Sequence, residues 1–98
     1  MATLSDDEVR DGLARLPGWD LSGAEIVKEW TLGSFRDAVA FVVRVSFEAE
    51  TADHHPDIDI RYNRVRFVLS THSEGGITAK DLDLAGRIDR IAAAGVGG

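Results

Sequence analysis

The sequence lacks cysteine altogether and contains only two prolines in 98 residues. Without cysteine the chain cannot form a disulfide, a thiolate metal site or a cysteine nucleophile. It also lacks a long apolar run, since spanning a bilayer takes about 20 consecutive apolar residues. Residues 1–10 are polar and acidic, whereas a signal peptide begins with basic residues and continues with apolar ones. We therefore expect a cytoplasmic protein with no membrane partner.

Positive charge is also scarce. Lysine and arginine together number 11 against 17 acidic residues, which gives a formal net charge of −6. A protein that binds nucleic acid through the phosphate backbone needs a concentrated basic face. The one local concentration, Arg61, Arg64 and Arg66, is spread along a predicted strand and is more typical of a solvated surface. We therefore expect no nucleic-acid partner.

The composition otherwise fits an ordinary globular domain, with 44% hydrophobic and 29% charged residues. A chain of this length has room for one domain, so residues 1–98 are predicted to form a single unit. The apolar periodicity is lost near the end, and residues 93–98 are expected to fray. Because a domain this small buries a modest fraction of its surface, association with further copies is favoured.

The first third of the sequence predicts a helix and a hairpin. Ser5 and Glu8 form a capping box that begins the helix, and Pro17-Gly18 ends it. Residues 19–32 alternate between apolar and polar on both sides of a turn at Ser22-Gly23, which predicts two antiparallel strands. The aromatic residues expected in the core are Trp19, Trp30 and Phe67.

A long helix, a second hairpin and a last helix follow. Residues 34–50 carry a broad apolar stripe made of Phe35, Val39, Val42, Val43 and Phe47. The residues on both sides of Asn63 alternate, as in a hairpin with one buried face. Thr78 with Asp81 caps the last helix. The order α-β-β-α-β-β-α predicts an α+β fold, with three helices packed on one face of a four-stranded antiparallel sheet.

All three histidines, His54, His55 and His72, lie within nineteen residues of one another. Histidine is the side chain whose unperturbed pKa lies nearest neutrality, so it can donate or accept a proton under cellular conditions. Pro56 fixes its own φ angle and pushes His55 toward an extended conformation. If the strand before His72 returns beside the strand after Pro56, the three imidazoles come to the same end of the sheet.

Other interpretations of the histidines stay open on spacing alone. Adjacent histidines in a loop also occur as ordinary surface residues. A metal site with three histidine ligands is a weaker interpretation, because neighbours such as His54 and His55 cannot easily point at one ion. Glu50 and Asp53 are acidic groups that could orient the rings and raise their basicity. Most acids that alternate with apolar residues are expected on the solvated face: Asp57, Asp59, Asp81 and Asp83.

A resemblance to a known family strengthens the catalytic interpretation. The spacing of seven residues is similar to the signature of the pterin-4a-carbinolamine dehydratase family: Glu50, His54-His55-Pro56, Tyr62, His72 and Asp81. An early tryptophan, the end of the central helix and the residues before the third histidine also resemble the family: Trp19, residues 47–50 and residues 69–72. The resemblance extends from about Leu16 to Ile91, which is nearly the whole chain.

The resemblance implies a hydro-lyase that acts in tetrahydropterin recycling. Its substrate would be a 4a-hydroxytetrahydropterin, and its products a quinonoid dihydropterin and water, with no metal or other cofactor. His54, His55 and His72 would form the catalytic group, in which the first and third transfer protons and His55 mainly binds and orients the pterin. The family also implies a homodimer or homotetramer. The alternative is a non-catalytic dimerisation or assembly partner that uses the same fold.

The resemblance implies a set of neighbouring residues as well. Together with the three histidines, the substrate-binding residues would be Asp53, Ser70, Thr71 and Ser73. The supporting residues would be Glu50, Pro56 and Asp81.

Overall fold

Three helices and four strands follow one another in the predicted order. A computed structural model describes residues 2–95. The elements are α1 (Asp6–Leu13), β1 (Asp20–Ser22), β2 (Glu25–Thr31), α2 (Phe35–Ala52), β3 (Asp57–Arg61), β4 (Arg64–Leu69) and α3 (Ala79–Ala93), with a short 3-10 turn at His72–Glu74. The predicted α+β fold is confirmed.

The four strands form one antiparallel sheet in the order β1-β2-β4-β3. In the two central strands Ile26 lies opposite Leu69, and Trp30 lies opposite Val65. Because side chains alternate along a strand, these apolar residues share the face that is covered by the helices. Ile26, Val65 and Leu69 are fully buried there. The β3–β4 hairpin brings the start of β3 and the end of β4 to the same end of the sheet.

The core is built around a chain of aromatic rings. Trp30 makes edge-to-face contacts with Trp19, Phe41 and Phe67, with ring centroids 5.2–5.9 Å apart. Such contacts add to the free energy gained by burial. Trp19 and Phe67 are buried and Trp30 is half-buried, so the prediction that these aromatic residues belong to the core is confirmed.

A polar anchor joins the turn after α1 to β2 and α3. The indole N–H of Trp19 and the ammonium group of Lys28 both donate to Oδ1 of Asp89, each at 3.0 Å. Lys28 also donates to the carbonyl of Pro17 at 2.9 Å and lies 4.6 Å from the ring centroid of Trp30. These contacts keep the amine and the carboxylate partnered where they are largely removed from water.

Helix α2 has two apolar faces. Its buried face consists of Ala38, Phe41, Val45 and Ala49. Most of the stripe that the sequence indicates lies on the outer face, where the exposed fractions range from 37% to 70%: Phe35, Val39, Val43 and Phe47. Val42 packs against the core. We call those four exposed residues the outer stripe of α2.

The ends of the chain complete the description. Helix α3 runs to Ala93 and is followed by Ala94 as its C-cap. The remainder of the tail that was expected to fray, residues 96–98, lies outside the described residues. Within residues 2–95, no helix has the length and hydropathy needed to cross a bilayer.

Candidate active site

The end of α2 fixes the course of the chain into the histidine segment. Asp53 has a left-handed backbone conformation, with φ 50° and ψ 45°. Its N–H donates to the carbonyl of Glu50 at 3.2 Å. The N–H of His54 donates to the carbonyl of Ala49 at 3.1 Å, which completes a Schellman motif. Glycine usually occupies the left-handed position, and aspartate tolerates it better than most other residues. The motif therefore sets the direction in which His54 leaves the helix.

His54 is hydrogen-bonded to a buried carboxylate. Its Nε2 lies 2.5 Å from Oδ1 of Asp81. Only 9% of His54 is exposed, and Asp81 is fully buried. The expectation that Asp81 lies on the solvated face is therefore wrong. Asp81 is the third residue of α3, and its carboxylate turns back toward the N–H of Thr78 at the helix start.

Two threonines complete the surroundings of Asp81. Its Oδ2 accepts from the hydroxyl of Thr71 at 2.8 Å and from the backbone N–H of Thr78 at 2.9 Å. The two threonine hydroxyls lie 2.8 Å from each other. Both threonines are buried. We call His54, Asp81, Thr71 and Thr78 the buried histidine network, and all of its buried carboxylate oxygens have hydrogen-bond partners, as burial of charge requires.

His55 makes a similar contact in a different environment. Its Nε2 lies 2.6 Å from Oε2 of Glu50, near the end of α2. The side chain of His55 is 57% exposed and that of Glu50 is 77% exposed. Water and salt weaken an ion pair at such a site. The contact can orient the ring of His55, but it cannot hold it as firmly as Asp81 holds His54.

His72 lies at the start of a tight turn after β4. Thr71 donates its N–H to the carbonyl of Gly76 at 2.9 Å, and Gly75 donates to the carbonyl of His72 at 3.1 Å. Gly75 has a φ of 75°, which glycine adopts without strain. His72 is exposed and directly follows Thr71. The turn therefore presents the third histidine beside the buried histidine network.

The other predicted site residues are distributed around this end of the sheet. Ser73 is exposed on the same turn as His72. The hydroxyl of Ser70 donates to the carbonyl of Ala24, in the β1–β2 turn, at 3.0 Å. Asp53 is exposed, and within residues 2–95 no hydrogen bond joins its carboxylate to a histidine. Among the predicted acids, it is Asp81 and Glu50 that contact the histidine rings.

A sequence profile of the family described as pterin 4 alpha carbinolamine dehydratase matches residues 2–91. This chain belongs to that family. A Chloroflexus aurantiacus protein with the provisional name pterin-4-alpha-carbinolamine dehydratase is 54% identical over 91 residues, which cover 93% of this chain and 98% of that protein. The resemblance seen in the sequence is confirmed.

Solved structures show the same fold. The crystal structure of a transcriptional coactivator/pterin dehydratase from Brucella melitensis matches with a TM-score of 0.88 and 35% identity, and covers 92% of this chain and 98% of that one. A pterin dehydratase-like protein identified as a RuBisCO assembly factor in the alpha-carboxysome matches with a TM-score of 0.62 and 21% identity, and covers 76% and 86%. At that identity, the second likeness shows the fold alone.

In this member of the dehydratase family the histidines do not line either of two cavities that lie beside α1. One cavity, of about 270 Å³, is bounded by the start of α1, the β1–β2 turn and residues 75–77. The other, of about 410 Å³, lies between α1 and Leu21. Within residues 2–95, no three histidine or acidic side chains are arranged to hold a metal ion. What the histidine site offers is two imidazole–carboxylate pairs, one buried and one exposed, which can hold and move protons.

The sequence pattern identified Thr78 only as a helix cap. The structure shows that its hydroxyl also contacts Thr71, and that its N–H contacts the acid that binds His54. The capping-box spacing of Thr78 and Asp81 was visible in the sequence. The contact with Thr71 was not, because it depends on how the fold places the start of α3 beside the turn that follows β4.

Proposed function

We propose that this chain dehydrates a 4a-hydroxytetrahydropterin to a quinonoid dihydropterin and water by general acid–base catalysis. The observation that carries the proposal is the hydrogen bond between His54 and the buried Asp81, in a chain that belongs to a dehydratase family. A buried carboxylate that orients an imidazole is a recurring arrangement in proton-transfer sites.

The reaction needs one acid and one base. The hydroxyl on the carbinol carbon leaves as water once it receives a proton. The ring nitrogen beside that carbon loses its proton, and its electron pair forms the new double bond to the carbon. Atoms and charge balance without an oxidant, a reductant or a metal. Positioned proton transfer contributes about 10²–10⁴ in rate.

We assign the proton transfers to His54 and His72. Oδ2 of Asp81 accepts two hydrogen bonds, and a carboxylate has only acceptors to offer. The hydrogen between Asp81 and His54 then belongs to Nε2 of the ring. Nδ1 of His54 has no hydrogen-bond partner within residues 2–95. Because this nitrogen is not fully buried, it reaches solvent. That nitrogen is the one that can exchange a proton with a pterin.

The remaining residues would bind and orient the substrate. His55 is exposed and held by Glu50, so it can stack against or hydrogen-bond the pterin while Glu50 restrains its ring. Asp53 and Ser73 are exposed on either side of the histidines along the chain. Ser70 and Thr71 use their hydroxyls within the protein, and we propose that they shape the site from behind.

The test is the decay of freshly generated 4a-hydroxytetrahydropterin, followed by ultraviolet absorbance with and without the protein. We expect acceleration by the wild type and loss of most of it in His54→Ala and in His72→Ala. Circular dichroism establishes that both variants are folded. His55→Ala is the matched control, since a binding role predicts a higher KM with a smaller change in kcat. Near-normal rates in both folded variants would refute the histidine mechanism.

A second candidate function is that of a non-catalytic dimerisation or assembly partner. The outer stripe of α2 supports it, because four large apolar side chains on one exposed helix face are typical of an interaction surface. The fold is also shared with the RuBisCO assembly factor. A folded wild-type protein that leaves the pterin decay unchanged would favour this function over catalysis.

We further propose that the chain is a homodimer or homotetramer, with the outer stripe of α2 as an interface between copies. Burying that stripe would remove apolar surface from water, which favours association. Light scattering of the wild type at micromolar concentration should show more than one copy. Val43→Glu should shift the mass toward the monomer, whereas Ala14→Glu, at the exposed end of α1 and on a different helix from the stripe, should not. A monomeric wild type would remove the proposal. The cytoplasmic location stays a prediction.

A further inference from the structure

Thr78 has contacts that exceed those of a helix cap. Its side-chain oxygen accepts from the backbone N–H of Lys80 at 3.2 Å, in the first turn of α3. The same hydroxyl lies 2.8 Å from the hydroxyl of Thr71. A cap needs only the first of these contacts. The second one joins the start of α3 to the buried histidine network.

The hydroxyl hydrogen bonds of this network all point toward Asp81. Thr71 has one hydroxyl proton, and it donates that proton to Oδ2 of Asp81, which as a carboxylate can only accept. The proton between the two hydroxyls must therefore come from Thr78. The oxygen of Thr78 in turn accepts the N–H of Lys80. Each hydroxyl thus donates toward Asp81, and the aligned bonds polarise one another.

We propose that Thr78 is a positioning residue for His54, acting through Thr71 and Asp81. Its hydroxyl proton holds the oxygen of Thr71 so that Thr71 donates to Oδ2 of Asp81. The carboxylate then presents Oδ1 to Nε2 of His54 and keeps the hydrogen on that nitrogen. Nδ1 is left as the nitrogen that faces the pterin. The inference rests on the proposed function for its effect on rate, but its effect on the tautomer of His54 does not.

Two substitutions separate positioning from capping. Thr78→Val keeps the size of the side chain but removes the hydroxyl, whereas Thr78→Ser keeps both the donor and the capping oxygen. Ser5→Ala is the matched control, because it removes the hydroxyl of an equivalent cap at α1, where the neighbouring Glu8 contacts no histidine. The control reports what the loss of a helix cap does to this protein without any change at the site.

The first measurement is the tautomer of neutral His54, read from the nitrogen chemical shifts of its ring by NMR. We expect the Nε2–H form in the wild type, in Thr78→Ser and in Ser5→Ala, and a mixture of both forms in Thr78→Val. An unchanged Nε2–H signature in folded Thr78→Val would overturn the proposal. If Thr78→Val does not fold, Thr71→Val decides in its place, since it removes the next hydroxyl of the same chain of bonds.

The second measurement is the rate of pterin dehydration by the same proteins. We expect kcat of Thr78→Val to fall by about tenfold or more with KM changed little, because small misplacements of a catalytic group are costly. Thr78→Ser should restore kcat, and Ser5→Ala should leave it unchanged. A normal kcat in folded Thr78→Val, with an active wild type, would overturn the positioning role and leave the dehydratase intact. An inactive wild type with the expected tautomer change would overturn the dehydratase and leave the positioning of His54 intact.

Discussion

Helices α1 and α3 begin with the same motif and use it differently. Ser5 with Glu8 and Thr78 with Asp81 are both capping boxes, in which the first side chain accepts from the helix and the acid accepts from the first residue's N–H. At α1 the acid is exposed. At α3 the acid is fully buried and also binds His54.

The difference shows that a capping box can serve only the start of its own helix or can also form part of a functional site. Among residues 2–95, the carboxylate of Glu8 accepts from the N–H of Ser5 at the start of its own helix. Asp81 satisfies the start of α3, the turn after β4 through Thr71, and the segment after α2 through His54. Because a buried charge must have all its partners, α3 can pack at this position only with those three segments in place. The same motif therefore contributes little at α1 and organises the site at α3.

The largest expected effect comes from Asp81→Asn. Asparagine has the same size, but its amide NH₂ must face either His54 or the two donors on the other side, and neither arrangement satisfies every group. We expect kcat to fall by at least about 10²-fold, as when a histidine takes the wrong tautomer. The free energy of unfolding should fall by about 1–3 kcal/mol, because at least one buried hydrogen-bonding group is left without a partner.

Dehydration kinetics and urea unfolding measure the two effects of Asp81→Asn. A variant with wild-type stability would show that the carboxylate at α3 is no more than a local cap. A variant that is less stable but has normal kcat would show that Asp81 supports the fold without serving His54.

Glu50→Gln has an intermediate expected effect and tests whether burial or contact with a histidine decides the importance of an acid. Glu50 is exposed like Glu8, yet it binds a histidine like Asp81. If burial decides the strength of the contact, the substitution should change stability by no more than about 0.2–1 kcal/mol. The KM for the pterin should rise by less than about tenfold, with kcat nearly unchanged. A loss of kcat as large as that of Asp81→Asn would mean that contact with a histidine matters more than burial.

The smallest expected effect is that of Glu8→Gln. The pKa of Glu8 lies below its ordinary value of 4.5, chiefly because its carboxylate accepts from the backbone N–H of Ser5 and secondly because it is hydrogen-bonded to the side chain of Ser5. Because the unfolded chain binds this proton more readily than the folded one, the box stabilises the protein above pH 4.5 and loses that contribution as the pH falls through the lowered pKa. Glutamine can still accept a hydrogen bond but carries no charge.

Thermal unfolding at neutral pH and at acid pH measures this effect. The wild type should have a slightly higher Tm than Glu8→Gln at neutral pH, and the difference should disappear in acid. A difference that grows in acid would contradict the assigned direction of the pKa.

The fold could be predicted from the sequence because its signals are local. Ser5 and Thr78 mark the starts of α1 and α3, and alternation around Asn63 marks a hairpin. Pro17-Gly18 was expected to end the first helix, but α1 already ends at Leu13. The two faces of α2 were harder to separate, because apolar residues occupy both. Small residues such as Ala38 and Ala49 lie against the core, while the larger Phe35 and Phe47 point outward.

The site could be predicted only in part. The grouping of the histidines and their likeness to a family identified the right end of the sheet. The burial of Asp81 was not predictable from alternation, since its position on α3 looks solvent-facing until His54 and Thr71 are placed against it by the fold. The pairing of rings with acids was predicted in part. Both Glu50 and Asp53 were expected to orient the rings, and Glu50 does contact His55, but the ring of His54 is paired with Asp81 and not with Asp53.

The aromatic core gives the protein its own optical reporters. Trp19 and Trp30 are the only tryptophans in the sequence, and their rings contact each other within the core. Tryptophan emission should therefore follow the opening of the core as a whole rather than a substitution at the histidines. Unfolding of every site variant can thus be monitored by fluorescence while the pterin absorbance reports chemistry in the same cuvette.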